Sequence, residues 1–409
     1  MEQGYLQVDV VSDTSSFPIQ NADVSIASSE NPERILDHLT TNSSGQTENV
    51  TLDAPDRELS LHPGEIRPYS EYNVTITAPG YEPVVIKGSE ILAGTTSVQF
   101  VRLHPLANRD QAVENIVIPA HTLYGEYPPK IAESEIKPTS ETGEIVLSRV
   151  VVPQTIVVHD GLPSNSSAKD YYVPYRDYIK NVASSEIYAT WPEATIVANV
   201  LAIMSFTLNR VYTEWYRNKG FDFTITSSTA YDHKWIYGRN IYETISVVVD
   251  DIFDSYLSRP GVKQPILTQY CDGKRVSCPE WLTQWGSCEL GEQGYSPIEI
   301  LRYFYGDDMY INTAEQISGI PASWPGTNLD IGSSGDKVRQ LQEQLDTISG
   351  IYSAVPSVTP DGIYGPATAR AVEVFQSVFG LPVTGITDFA TWYKISHIYV
   401  AITRIAELS

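Results

Sequence analysis

Basic residues are scarce in this chain: 27 lysines and arginines stand against 50 aspartates and glutamates, a formal charge of −23 over 409 residues. Nucleic acid and anionic membrane surfaces would repel such a chain, so neither is expected as a partner. An acidic polymer would have to be held by hydrogen bonds and ring stacking, for which 26 tyrosines and 7 tryptophans offer material. No uninterrupted apolar run of about 18 residues occurs, so no membrane span is expected. The opening Met1-Glu-Gln-Gly-Tyr-Leu6 has neither a basic patch nor an apolar stretch, and no secretory signal is visible there. Cysteine is limited to Cys271, Cys278 and Cys288, whose spacing is not the Cys-x-x-Cys of a structural zinc site. One disulfide with a spare thiol, three free thiols, or a Cys/His site using His233 all remain open. His-Glu-x-x-His is also missing. No metal and no cofactor are expected.

With 42% hydrophobic and 19% charged residues, the remainder reads as ordinary globular protein, long enough for roughly two to four cores. Residues 1–106 alternate apolar and polar positions: Leu6/Val8/Val10, Val24/Ile26, Val74/Ile76 and Val98/Phe100. Turn residues at Asn42–Gly45, His62–Gly64 and Ala78–Gly80 separate these runs, which predicts a small β-sandwich. Residues 107–155 carry Pro119, Pro128, Pro129, Pro138 and Pro153 around a polar stretch, Glu133–Glu144, and read as a connector. Arg149-Val-Val-Val-Pro153 closes it with a basic residue expected to be exposed. Extended connectors are favoured sites of proteolysis, so Arg149–Val150 is a candidate processing site.

Residues 156–320 mix helical and strand patterns, an α+β order. Ile179, Val182, Ala183 and Ile187 recur at helical spacing, which sets Glu186 on or beside an apolar stripe. A carboxyl group held against apolar neighbours has its charged form disfavoured and its pKa raised, as a general acid for glycosidic cleavage requires. A solvated surface cap is the commoner role for a single glutamate. Thr190-Trp-Pro-Glu193 reads as a capping box opening a second helix, with a stripe from Val197 through Val200, Leu201, Met204, Leu208 and Val211 to Trp215, closed by Gly220. A third helical pattern covers Ile241–Leu257, and a short one covers Ile298–Tyr305 before Gly306.

Tyr178-Ile-Lys-Asn-Val-Ala-Ser-Ser-Glu186 with Trp191-Pro-Glu-Ala194, and the long closing run Trp281–Gly306, resemble the stage II sporulation protein D family. That family consists of peptidoglycan lytic transglycosylases. The resemblance implies that Glu186 is the catalytic residue, and that Asp232, His233, Tyr270, Gln284 and Trp285 lie on positions used for substrate. Two departures stand out: Met204 occupies a place where the family usually has arginine, and Cys271-Asp-Gly273 replaces Ser-Gly-Gly. Residues 1–106 resemble transthyretin-like domains, through Pro18–Ile26, Thr41–Gly45, Tyr72–Thr75 and Pro79–Tyr81. After the short linker 321–327, residues 328–405 resemble the type 1 peptidoglycan-binding domain. Three helices are implied there, with Val338/Leu341/Leu345/Ile348 as a core stripe, Pro366 opening the second, and Thr387 or Asp388 capping the third. Asp361 and Tyr364 are its candidate groove residues.

The expected architecture is therefore multidomain: an all-β transthyretin-like sandwich, a central α+β lytic transglycosylase domain and a small three-helix peptidoglycan-binding domain. This order resembles spore cortex-lytic enzymes. It implies a zymogen lodged outside the spore core, acting on cortex peptidoglycan after an activating serine protease cuts near Arg149. In that chemistry Glu186 gives its proton to the glycosidic oxygen between N-acetylmuramic acid and N-acetylglucosamine. It then takes the proton of the muramyl C6 hydroxyl as a 1,6-anhydro ring closes, with no second carboxylate needed. Two rivals remain: a metal-dependent amidase, which needs three convergent ligands, and a non-catalytic wall binder.

Overall fold

The computed structural model describes residues 1–106, 113–134, 147–319 and 324–403. The polar stretch beyond residue 134, with Pro138, and the linker start at 321–323 lie outside them.

Eight strands build the N-terminal unit: β1 Glu2–Ser12, β2 Asp23–Ser28, β3 Asn31–Thr40, β4 Val50–Ala54, β5 Ser70–Thr77, β6 Val84–Ile91, β7 Thr96–Leu103 and β8 Glu114–Val117. Leu6, Val8 and Val10 on β1, Val24 and Ile26 on β2, and Val74 and Ile76 on β5 are all fully buried in one core, as their alternation predicts. One sheet runs β3-β2-β5-β6-β8, so the expected connector supplies a strand, paired parallel to β6. The other runs β4-β1-β7 and is completed by Ile241–Tyr242 from the central region, antiparallel to β7.

On β7 the expected face is reversed. Phe100 is exposed and Val98 half-buried, while Ser97, Gln99, Val101 and Leu103 point inward. The two polar residues are tolerated because the interior gives them partners. Ser97 Oγ donates to the Glu90 carbonyl at 3.0 Å, and Gln99 accepts from Ser89 Oγ and donates to the Gly238 carbonyl, both at 2.8 Å. A period of two fixes the face of a whole strand at once, and the hydrogen bonds to the central region decide it here.

The central region contains α1 Tyr175–Glu186, α2 Glu193–Tyr212, α3 Glu243–Ile252, α4 Gln284–Glu292 and α5 Pro297–Tyr305. Short strands surround them: β9 Val151–Val152, β10 Thr155–His159, β11 Asp170–Pro174, β12 Ile225–Thr226, β13 Ile241–Tyr242, β14 Ser255–Ser258, β15 Tyr270–Cys271, β16 Leu282–Thr283, β17 Tyr310–Thr313 and β18 Gln316–Ile317. The third helical pattern is thus trimmed at both ends into strands, because Tyr242 pairs with the sandwich and Ser255–Ser258 pairs with β17. The second helix is also shorter than its pattern. It ends at Tyr212, and Gly220, at φ 84°, closes a separate 3-10 turn over Arg217–Lys219. No capping box forms: Pro192 is the N-cap, and Thr190 Oγ1 instead shares a 2.6 Å hydrogen bond with Ser60 Oγ of the N-terminal unit. By length and composition α2 would suffice to cross a membrane, yet 83% of its most apolar window is buried inside the protein. Burial on nearly every side, rather than one stripe, marks it as the core helix.

The C-terminal unit holds α6 Asp336–Ser349, α7 Pro366–Val378 and α8 Phe389–Thr403. Val338, Leu341, Leu345 and Ile348 are fully buried, Pro366 stands at the first position of α7, and Asp388 Oδ1 accepts from the Thr391 N–H at 2.9 Å. The molecule is thus multidomain and mixed α/β, with a helical C-terminal unit.

Candidate active-site cleft

Glu186 is the last residue of α1. Helix ends leave their final carbonyls without intrahelical donors, and burial makes each of them expensive unless another donor is found. Three different segments supply those donors. Ser184 O accepts from Arg239 Nη2 at 2.6 Å, and Ser185 O from Thr122 Oγ1 at 2.9 Å. Glu186 O accepts from Gln284 Nε2 at 3.0 Å, and His121 Nε2 lies 3.3 Å from Ile187 O. Arg239 is itself fixed by the buried Glu90 of the sandwich, 2.6 Å away. The sandwich, the connector and α4 therefore all clamp the turn that carries Glu186.

The Glu186 side chain is buried, with 3% of its surface exposed. Oε1 accepts from the Lys234 N–H at 2.6 Å and Oε2 accepts from the Tyr270 hydroxyl. Burial raises the carboxyl pKa, and it outweighs the lowering effects of Lys130, the Lys234 N–H and Tyr270. The negative end of the α1 dipole works in the same direction as burial. The result is a carboxyl group biased toward its acid form and aimed by two donors.

Glu186 lines a cleft of about 470 Å³ together with Tyr270, Gln284, Asp232, Asp272 and Arg275. The connector lines the same cleft, from Thr122 and Gly125 through Pro128 and Pro129 to Lys130. Asp232 reaches the wall but is saturated: it accepts from Arg210 Nε at 2.7 Å, Tyr216 Oη at 2.6 Å, Thr226 N at 2.9 Å and Thr226 Oγ1 at 2.7 Å. Its role is to hold Arg210, which also binds Glu133. His233 stands behind the wall, fully buried, 3.0 Å from the Tyr178 hydroxyl through Nδ1 and stacked on Tyr270 with ring centres 5.8 Å apart. Burial holds its pKa well below the ordinary histidine value, so it stays neutral. Trp285, expected on substrate, is instead core: it packs on Trp191 at 5.2 Å and on Tyr188 at 6.0 Å and does not line the cleft.

Two further expectations change in the C-terminal unit. Tyr364 is fully buried and its hydroxyl donates to Gly385 O at 2.9 Å, so it is a structural residue and not part of a groove. Asp361 is exposed, but its carboxylate accepts from Gln342 Nε2 and the Ile363 N–H, which pin the loop and lower its pKa. At the processing candidate, Arg149 is exposed, whereas Val150 is buried and leads into β9, paired with β18.

Cys271 and Cys278 form a disulfide and Cys288 is a buried free thiol, which decides among the three cysteine states. Among the described residues no group of three or more His, Cys, Asp or Glu side chains is placed to hold a metal ion. Met204 is fully buried in α2. The cation beside the site comes from elsewhere: Lys130, whose Nζ lies 4.0 Å from the centre of the Tyr270 ring. The sequence signal for it was Tyr127-Pro-Pro-Lys130, a stiff double proline ending in a lone cation.

Residues 334–395 match the peptidoglycan binding domain family, so the C-terminal unit is a peptidoglycan-binding domain. Zinc D-Ala-D-Ala carboxypeptidase of Streptomyces albus G is 45% identical over 73 residues, 18% of this chain and 27% of that protein. A Kitasatospora aureofaciens protein is 38% identical over 66 residues, 16% of this chain and 51% of that one. The chain thus spans about a quarter and about half of these two relatives. The crystal structure of the SleB N-terminal domain aligns at 28% identity over 19% of this chain and 99% of that one, with a TM-score of 0.17.

Proposed function

We propose that the chain is a peptidoglycan lytic transglycosylase with Glu186 as its one proton-transfer residue. The observation that carries this reading is a buried carboxyl group of raised pKa, oriented by Lys234 N–H and Tyr270, on the wall of a cleft in a chain that also bears a peptidoglycan-binding domain. Glu186 protonates the oxygen between N-acetylmuramic acid and N-acetylglucosamine as the C1–O bond breaks. The resulting carboxylate accepts the C6 hydroxyl proton, and O6 closes on C1 to give the 1,6-anhydro product. One group serves both steps, so no second carboxylate is required; Asp232, on the same cleft, is committed to Arg210.

The order of modules resembles the spore cortex-lytic enzyme SleC, and with it we propose a zymogen of the bacterial spore cortex, cut near Arg149 by a serine protease. The transthyretin-like unit would act as support for α1 through Arg239 and Glu90. Mass spectrometry of soluble fragments from decoated spores, treated with protein cut after Arg149, tests the reaction. Anhydro-muramyl ends are expected; free muramyl carboxylates would point to an amidase. Full cortex effect from Glu186→Gln would reduce the chain to a wall binder.

A further inference from the structure

Lys130 belongs to the connector, yet its Nζ is buried and the residue lines the cleft. Its Nζ lies 4.0 Å from the Tyr270 ring centre and 4.7 Å from that of Phe206, and it has no hydrogen-bond partner among the described residues. An ammonium taken out of water without hydrogen bonds is costly unless ring faces and opposite charge replace the solvent. Both are present: two aromatic faces hold the cation, and Glu186, Asp232 and Glu133 act on it electrostatically against Arg210. The same segment, Tyr127-Pro-Pro-Lys130, lines the cleft together with Glu186. Two adjacent prolines limit the backbone to few conformations, so little freedom is lost in holding the lysine in place.

We propose that Tyr270 and Phe206 form a primary-ammonium site at the catalytic cleft, filled in the uncut chain by the protein's own Lys130. The connector thereby occupies one side of the cleft through one specific side chain. Burial brings the Lys130 pKa down to about 8, so the group is still protonated at neutral pH. Occupancy of this site has meaning as regulation only if Glu186 is catalytic, so that part rests on the function proposed above; the ammonium site itself does not.

The test is chemical replacement. Uncut Lys130→Ala protein is titrated at pH 7 with n-butylammonium, with n-butanol as the uncharged control, by calorimetry. We expect n-butylammonium to bind Lys130→Ala about tenfold or more tighter than n-butanol does, the preference a desolvated cation–π site gives, and not to bind the uncut parent. Equal binding to parent and variant, or equal binding of amine and alcohol, would overturn the site. If Lys130→Ala does not fold, the uncut parent decides the matter by NMR. Lys130 side-chain resonances shifted upfield by the ring currents support the site, and resonances at exposed-lysine positions overturn it. On decoated spores, uncut Lys130→Ala should release muropeptides faster than the uncut parent, and n-butylammonium should suppress that gain. Loss of activity in cut Glu186→Gln with no amine binding would remove the site and leave the function. Amine binding with cut Glu186→Gln fully active would do the reverse.

Discussion

The central region and the peptidoglycan-binding domain treat buried polar atoms in opposite ways. In the C-terminal unit the buried amides are saturated: Gln376 donates to Thr384 Oγ1, Ile386 O and Thr391 Oγ1 and accepts from Thr384 N and Gly385 N. Gln342 does the same for the loop around Gly362. Among the described residues, every buried side-chain atom without a partner lies between Glu90 and Ser258, including Lys130 Nζ and His233 Nε2 beside Glu186. A binding module of this size puts its polar interior to work fixing turns. The rest of the molecule leaves some such groups without partners among the described residues, Lys130 and His233 near the candidate site among them.

The sharpest break of this comparison is Glu186→Gln in protein cut after Arg149. Muropeptide release should fall by about 10²–10⁴-fold, the usual worth of a positioned acid–base group, while sacculus pull-down stays unchanged. Next comes Leu345→Ala in the C-terminal core, where the side chain is fully buried. It should cost about 2–5 kcal/mol, read by denaturant melts, and abolish sacculus binding. Smaller still is Gln376→Leu, which strands several partners and should cost about 1–3 kcal/mol in the same melts. Ser258→Ala removes a buried hydroxyl that has no partner and should leave stability within about 1 kcal/mol of the parent, on either side. A loss as large as that of Gln376→Leu would erase the contrast between the two regions.

The pH dependence follows from the raised Glu186 pKa. A carboxyl whose folded pKa lies above its unfolded value binds its proton more tightly when folded. Its contribution to stability is thus fully present below the unfolded value and lost as pH rises through the folded one. Thermal melts of Glu186→Gln and parent should therefore converge in acid and separate toward neutral pH, with the variant gaining. The alkaline limb of activity should sit above the ordinary glutamate range, and it should move further up in protein freed of Lys130, which now lowers that pKa.

Much of the frame could be read without coordinates because its signals are local. Strict alternation along β1, β2 and β5 set their inward faces, and helical spacing placed Glu186 on an apolar helix. The errors share one cause, partners from distant segments. The inward face of β7 is chosen by Gly238 and Glu90, Thr190 is diverted from capping by Ser60, and Tyr364 is drawn inward by Gly385. Lys130 was hidden for the same reason. A lysine in a proline-rich connector is ordinarily solvated, and only the fold brings Tyr270 and Phe206 to it.

Completion of the sandwich by Ile241–Tyr242 has a consequence for synthesis. The N-terminal strands leave the ribosome long before β13 exists, so β7 waits as an open sheet edge while the connector, α1 and α2 are still being made. Until Tyr242 arrives, that edge is a place where two nascent chains can join wrongly. The outward charge of Arg102, the one charged residue on β7, is what guards it in the interval.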